Sequence, residues 1–236
     1  MVTTFPKTID LLEGIATTRS IHRFLPDPIP DEDLNAILYA ATRGPSGNNA
    51  QPFRFVVIRS GPRSEQAKAL LGASFREAWA AKSNAEGWQK GSGADPNSRK
   101  ARSTRAMIQF VENFERIPVV VLACLEHRPG DVAAGASIYP GCQNLLLAAR
   151  ALGYGGSITM FHTNAEAALR ELLEIPDSAS ILCTIPLGRP EGGHGPLRRR
   201  PIRDLVYDDG WTSEATWASD PPDSRFSRSG RPRSER

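Results

Sequence analysis

Arg43-Gly44-Pro45-Ser46-Gly47-Asn48-Asn49-Ala50-Gln51-Pro52 is a tight polar turn, and Phe53-Arg54-Phe55-Val56-Val57-Ile58 follows it at once as a strand pattern. Gly44, Pro45 and Gly47 are turn formers, while Ser46, Asn48, Asn49 and Gln51 crowd hydrogen-bonding side chains into a few positions. A turn of this kind can grip a planar ligand with polar edges. Read alone, it favours the plainer alternative of a solvated connector whose Asn side chains close local backbone bonds. Its company elsewhere in the chain decides between the two.

Upstream, Leu34, Ile37, Leu38 and Ala41 share one face of a helix that starts at Asp31 and delivers the chain into the turn. Pro26, Pro28 and Pro30 keep the preceding segment extended. Before them Thr18-Arg19-Ser20-Ile21-His22-Arg23-Phe24 is a short extended run carrying cationic or titratable groups. A first amphipathic helix spans Thr8 to Ala16, with Thr8 as its cap.

Downstream, Gly61-Pro62 breaks the strand and a helix is expected from about Ser64 to Ala81. Residues 82–103 are rich in Ser, Asn, Gly, Lys and Arg, with Trp79 and Trp88 as large apolar side chains in or beside them, so they read as a mobile excursion. Pro118 to Leu125 is a continuous apolar run, suited to a strand covered on both faces. Ala136 to Leu152 is apolar on nearly all sides and predicts a deeply buried helix closed by Gly153. Gly155 and Gly156 then bare the backbone; they fit close approach to a flat ring and equally a helix stop followed by a turn. Asn164 is the expected cap of a helix to about Leu173, and Ile181 to Gly188 is a third strand. The expected domain covers 1–210, leaving 211–236 as an extension that is disordered or draped over a partner.

The net charge is +3, but the segment from Asp220 to Arg236 holds five Arg against three acidic residues, so the rest of the chain is near neutral and has no bulk attraction for nucleic acid. No window reaches the roughly eighteen apolar residues a membrane span needs, and Met1 to Pro6 lack a basic and apolar leader pattern, so the chain reads as cytosolic. Cys124, Cys142 and Cys183 lie far apart in sequence in apolar surroundings, which predicts buried free thiols. His22, His127, His162 and His194 show no metal-ligand spacing and read as structural, His22 excepted. Gly153-Tyr154-Gly155 lacks the third Gly of a dinucleotide fingerprint and follows a helix; neither a P-loop nor a nucleophile elbow is present. Arg198 to Arg200 form a late cationic cluster. Alone it reads as solvated surface, but paired with Arg19 and Arg23 it can converge on one phosphate.

Three motifs in order, Arg19-Ser20-Ile21-His22-Arg23-Phe24, Pro45 through Val57, and Arg199-Arg200-Pro201-Ile202, resemble those of the FMN-dependent nitroreductase family, over about Leu11 to Tyr207. The resemblance implies an α+β fold with a central, mostly antiparallel sheet flanked by helices, and an intertwined homodimer with FMN at each interface. It also implies that Arg19, Ser20, Ile21, His22 and Arg23 hold the phosphate and ribityl end, joined by Arg198 and Arg199. Pro45, Ser46, Gly47, Asn49 and Gln51 would reach the flavin from the partner, with Gly155, Gly156 and Ser157 on its other side. A helix before Val119 often contributes too, through a residue the sequence does not single out. Thr18 stands where the family usually has its first Arg, His22 where it has Arg or Lys, and Phe53 where it has Trp. Two fixed charges are thus missing at the phosphate end, leaving Arg198, Arg200 or a protonated His22 to supply them.

The implied chemistry is hydride transfer from NADH or NADPH through FMN to a small electron-poor acceptor, a nitroaromatic or quinone, by a ping-pong scheme. It needs no catalytic side chain and no metal. Trp79 and Trp88 are the expected lid over the acceptor, with cover for the dimer surface as the alternative. A flavin-storage protein, and a relative that dehalogenates its substrate or degrades the flavin, are the competing readings.

Overall fold

In the computed structural model the described residues are 9–88, 95–126 and 134–226, and they fall into two units that divide between His194 and Gly195. In the first unit, helix α1 covers Leu11–Thr17. Its cap is Asp10 rather than Thr8, because the Asp10 carboxylate accepts from the backbone N–H groups of Leu12 and Glu13. Thr8 lies outside the described residues. Helix α2, Asp31–Ala41, buries the expected face of Leu34, Ile37 and Ala41. Strand β1 is Phe53–Ile58.

Helix α3 runs over Pro62–Ala85, longer at both ends than expected. Pro62 ends the strand and also begins the helix, since a first-turn residue needs no donor and its fixed φ suits the helix. Helix α4, Arg99–Glu112, begins where Ser98 accepts from Ala101 N–H, so the expected 82–103 excursion is helix at its two ends, over 82–85 and 99–103; residues 89–94 lie outside the described ones.

Strand β2, Val119–Glu126, leads by a 3-10 turn at Ala134–Ser137 to helix α5, Tyr139–Ala151. Gly155–Gly156 form a two-residue strand, β3, where the sequence suggested a turn. Helix α6 is Glu166–Leu173, preceded by a 3-10 turn that contains Asn164, so Asn164 is not its cap. Strand β4 is Ala179–Gly188. The sheet order is β1-β2-β4-β3 with every pair antiparallel. The second unit pairs Arg198–Arg199 (β5) in parallel with Arg225–Phe226 (β6). The division at His194 falls inside the domain expected over 1–210, and backbone pairing places residues without apolar period, including 211–226, in turns and a short strand.

Alternation along β2 builds two cores. Val119, Val121, Ala123 and Leu125 face α2 and α5, together with Cys183, Ile185 and Leu187 of β4. Val120, Leu122 and Cys124 face Phe75 of α3, Phe110 of α4 and Leu169 of α6. The continuous apolar run is therefore the strand with helices on both sides. Buried Lys68 gives its ammonium to the carbonyls of Ile117 at 2.6 Å and Pro118 at 3.2 Å, which pins the start of β2. All three cysteines are buried free thiols; Cys142 and Cys183 touch at 3.8 Å between sulfurs. Among the described residues no helix is long and apolar enough to cross a membrane.

Candidate functional site

After α1 the chain becomes extended and docks onto the end of the sheet. Ile21 N–H donates to Gly156 O at 2.9 Å, Leu25 N–H to Arg189 O at 2.8 Å, and Glu191 N–H to Arg23 O at 3.0 Å. The Arg19–Arg23 run and Gly155–Gly156, far apart in sequence, are thus neighbours. This placement buries Ile21 and leaves Arg19, Ser20 and Arg23 at the surface. A β-carbon at Gly155 would stand 2.5 Å from Ile21 Cγ1, and one at Gly156 would stand 2.4 Å from Pro186 O. The packing of the fold itself requires both glycines to be bare. Ser157 is buried and its hydroxyl has no partner among the described residues. Tyr154, just before, donates its hydroxyl to Asp33 Oδ2 at 2.6 Å; burial first, and the adjacent carboxylate second, push its pKa up to about 12.

His22 turns away from Gly155 and meets Phe110 of α4 edge to face, with ring centroids 5.0 Å apart. It lines a cavity of about 340 Å³ with Arg23, Phe24, Gln109, Phe110, Asn113, Arg116 and Glu191. Gln109 of α4 and Asn113, which caps the C-terminal end of that helix, line the cavity too, and no motif in the sequence singles them out. They lie one turn apart, and Asn113 Nδ2 donates to Gln109 O at 2.8 Å. The cavity combines two guanidinium groups, two amides, one imidazole and one carboxylate with aromatic walls.

Burial holds the His22 pKa below the ordinary imidazole value, so the ring is neutral at neutral pH. A depressed folded-state value means the unfolded chain binds the proton first. The contribution of neutral His22 to stability is therefore present above the unfolded value of about 6.5 and is lost as pH falls through the folded one. An NMR titration of the His22 ring is expected to show a midpoint below that of a free imidazole; a midpoint at or above it would contradict the packed geometry.

The turn before β1 is shaped by backbone conformations that side-chain-bearing residues rarely adopt: φ is 51° at Asn48, 53° at Asn49 and 50° at Gln51. Ser46 Oγ accepts from Gln51 N–H at 2.9 Å, and Gly47 N–H donates to Ser137 Oγ at 3.2 Å. Pro45, Gly47, Asn49 and Gln51 are exposed and Ser46 is half-buried. The turn enters β1 at one edge of the sheet, whereas Gly155–Gly156 is the other edge. With two strands between them, at about 4.8 Å per strand, β1 and β3 lie roughly 14 Å apart.

In the second unit, Arg198 and Arg199 are exposed on β5. Arg200 is paired with Asp204, its Nη2 lying 3.7 Å from Oδ2. Trp79 is 7% exposed and packs 5.9 Å from Trp88, whose indole donates to Glu86 at 2.6 Å while the Lys100 ammonium lies 5.7 Å over its ring. Trp79 is therefore core of the second layer and is not free to act as the expected lid. His194, read as structural, lies against Arg19 and Tyr154. His127 lies outside the described residues. Among the described residues no cluster of His, Cys, Asp or Glu could hold a metal.

An antiparallel sheet between two helical layers, with a cationic extended run docked at one edge and a strained polar turn at the other, defines an α+β protein whose candidate site is split across the sheet. The family model described as nitroreductase family matches residues 15–189, and the chain belongs to that family. It is 30% identical over 188 residues to an NADH dehydrogenase/NAD(P)H nitroreductase of Archaeoglobus fulgidus, covering 77% of this chain and 86% of the relative. A protein of the same description from Methanothermobacter thermautotrophicus is 28% identical over 195 residues, covering 79% and 81%. A solved nitroreductase from Desulfovibrio desulfuricans in complex with FMN aligns at TM-score 0.61 and 25% identity, over 86% of this chain and 99% of that one.

Proposed function

We propose that the chain is an FMN-dependent oxidoreductase that takes hydride from NADH or NADPH and passes it to a small electron-poor acceptor, a nitroaromatic or a quinone, in two successive half-reactions. The observation that carries this reading is the docking of the Arg19–Arg23 run on Gly156 beside a cavity walled by His22, Gln109, Phe110 and Asn113. The donor set fits FMN. Arg19 and Arg23 offer fixed charge and Ser20 a hydroxyl for a phosphate, while the amides and aromatic walls suit a flat ring with polar edges. Bound FMN supplies the reversible hydride chemistry; this chain's residues bind it, orient it and keep water away.

The sheet order supports a homodimer, because only a second copy can bring a Pro45–Gln51 turn to the Gly155 edge of the first. Leu11, Leu12 and Ile15 of α1 are 66%, 74% and 49% exposed, an apolar face that association would cover. In that arrangement Pro45, Ser46, Gly47, Asn49 and Gln51 come from the partner. Ile21 and Gly156 act as the frame of the site, and Ser157 borders it.

The test is the absorption spectrum of the purified full chain, identification of the flavin it releases, and NADH and NADPH oxidation with a quinone and a nitroaromatic. Bound FMN with turnover is expected. Bound flavin without turnover indicates storage, turnover with a halogenated aromatic alone indicates dehalogenation, and no flavin at all removes the reading. Arg19→Ala is expected to weaken FMN about tenfold, the size of one charge-assisted bond at an exposed site. Unchanged affinity would take Arg19 out of the site.

A further inference from the structure

One imidazole ties together the two segments that frame the proposed cofactor site. The backbone N–H of Arg19 donates to His194 Nδ1 at 3.2 Å, and His194 Nε2 lies 3.0 Å from the carbonyl oxygen of Tyr154. An N–H can only donate and a carbonyl can only accept, so the ring is neutral with its proton on Nε2. The neighbouring backbone leaves it little room: a β-carbon at Gly155 would stand 3.0 Å from Nε2. Along the run, the last α1 bond is Thr18 N–H to Gly14 O, and the first sheet bond is Ile21 N–H to Gly156 O. The bond to His194 lies between them and orients Arg19 and Ser20.

We propose that His194 is a positioning residue that presents Arg19 and Ser20 to an anionic group, the phosphate of FMN, and that protonation of its imidazole releases them. The proposal rests on the FMN reading above. A proton on Nδ1 would face the Arg19 N–H donor to donor, so the bond cannot survive it. Burial keeps the His194 pKa below the ordinary value; the Tyr154 carbonyl opposes that shift, while Arg150 of α5 and Arg19 reinforce it. Around Tyr154, the Asp33 carboxylate holds its hydroxyl and the Arg189 guanidinium lies 5.1 Å over its ring, so both signs of charge face this corner. Because the folded value is the lower one, the tie is intact above about pH 6.5 and is lost as pH falls through the folded pKa.

The experiment uses two isosteric variants of the full chain. In His194→Asn the side-chain oxygen takes the place of Nδ1 and does not titrate; in His194→Gln the amide reaches the place of Nε2 and the acceptor for Arg19 is missing. FMN affinity is read by flavin fluorescence across about pH 5 to 8. The native protein is expected to lose affinity towards acid more steeply than His194→Asn. The phosphate's own ionisation near pH 6 is common to both, so the ratio of their affinities isolates the imidazole. His194→Gln should bind FMN about fivefold more weakly than the native protein at neutral pH, with unchanged circular dichroism. Nitrogen shifts of the His194 ring in the flavin-free native protein should show a bare Nδ1 and a protonated Nε2. Parallel pH profiles, equal affinity of the Gln variant, or the opposite tautomer would each overturn the proposal. Native protein that takes up no FMN at any pH overturns the functional reading and the phosphate role with it, while the ring shifts still decide whether the tie exists.

Discussion

Phe75→Ala is expected to destabilise the protein by about 3 to 5 kcal/mol, the largest effect of any single core truncation proposed for this chain. Phe75 on α3 is fully buried, and three rings surround it: Phe114 at 4.2 Å, Phe161 at 5.5 Å and Phe110 at 5.7 Å between centroids. Alanine would remove the hub of that cluster, and the surrounding rings are too rigid to collapse into the space. For a chain of this size the loss corresponds to a fall in melting temperature of roughly 10 °C. The consequence extends to the candidate site, because Phe110 is both a neighbour of Phe75 and the ring against which His22 packs. A second readout is the His22 titration: if Phe110 loosens and water enters, its pKa should return towards the ordinary imidazole value. Phe75→Leu, which keeps most of the volume, should cost less than about 1.5 kcal/mol and leave His22 where it was. An alanine variant as stable as the native chain would mean that the second core is not organised around Phe75.

Elements whose signal is local were legible in the sequence. The run from Val119 to Leu125 announced a strand covered on both faces, and the spacing of Leu34, Ile37 and Ala41 fixed the buried face of α2. Where tertiary pairing sets the outcome, reading failed. Gly155 and Gly156 have no strand propensity and become β3 only because β4 and Ile21 supply partners on either side. Pro62 reads as a break, yet it is the first residue of α3. The motif residues could be read by type and order, but their orientation could not. The pleat that buries Ile21 against Gly155 sends His22 to Phe110, which one-dimensional patterning cannot show without knowing that the run docks at the sheet edge. Gln109, Asn113 and His194 carry no motif at all. They meet the Arg19–Arg23 segment through the packing of α4 and through a backbone N–H, neither of which leaves a mark on residue type.

Gly44→Ala should cost about 3 kcal/mol, at the upper end of what one added methyl group does in a packed interior. The added carbon would stand 2.5 Å from the backbone nitrogen of Gly141 and 2.7 Å from its Cα. Both belong to the first turn of α5, so no rotamer change can relieve the clash; α2 and α5 would have to separate. Gly141 is in turn 2.7 Å, at its own β-carbon position, from Ala41 O, so the two chain segments meet backbone to backbone. A control isolates the steric cause: Gly193→Ala, with no atom within 4 Å of the added carbon, should leave stability nearly unchanged. Because Gly44 opens the turn from Pro45 to Gln51, separation of the helices would also draw Gly47 N–H away from Ser137 Oγ and relax the conformations at Asn48, Asn49 and Gln51. In the proposed homodimer that turn serves the partner's flavin. Gly44→Ala should therefore lower FMN affinity per folded molecule as well as the denaturation midpoint, whereas Phe75→Leu should leave FMN affinity per folded molecule unchanged. Loss of stability with FMN affinity fully retained would separate the turn from the cofactor site and leave Gly44 with a packing role alone.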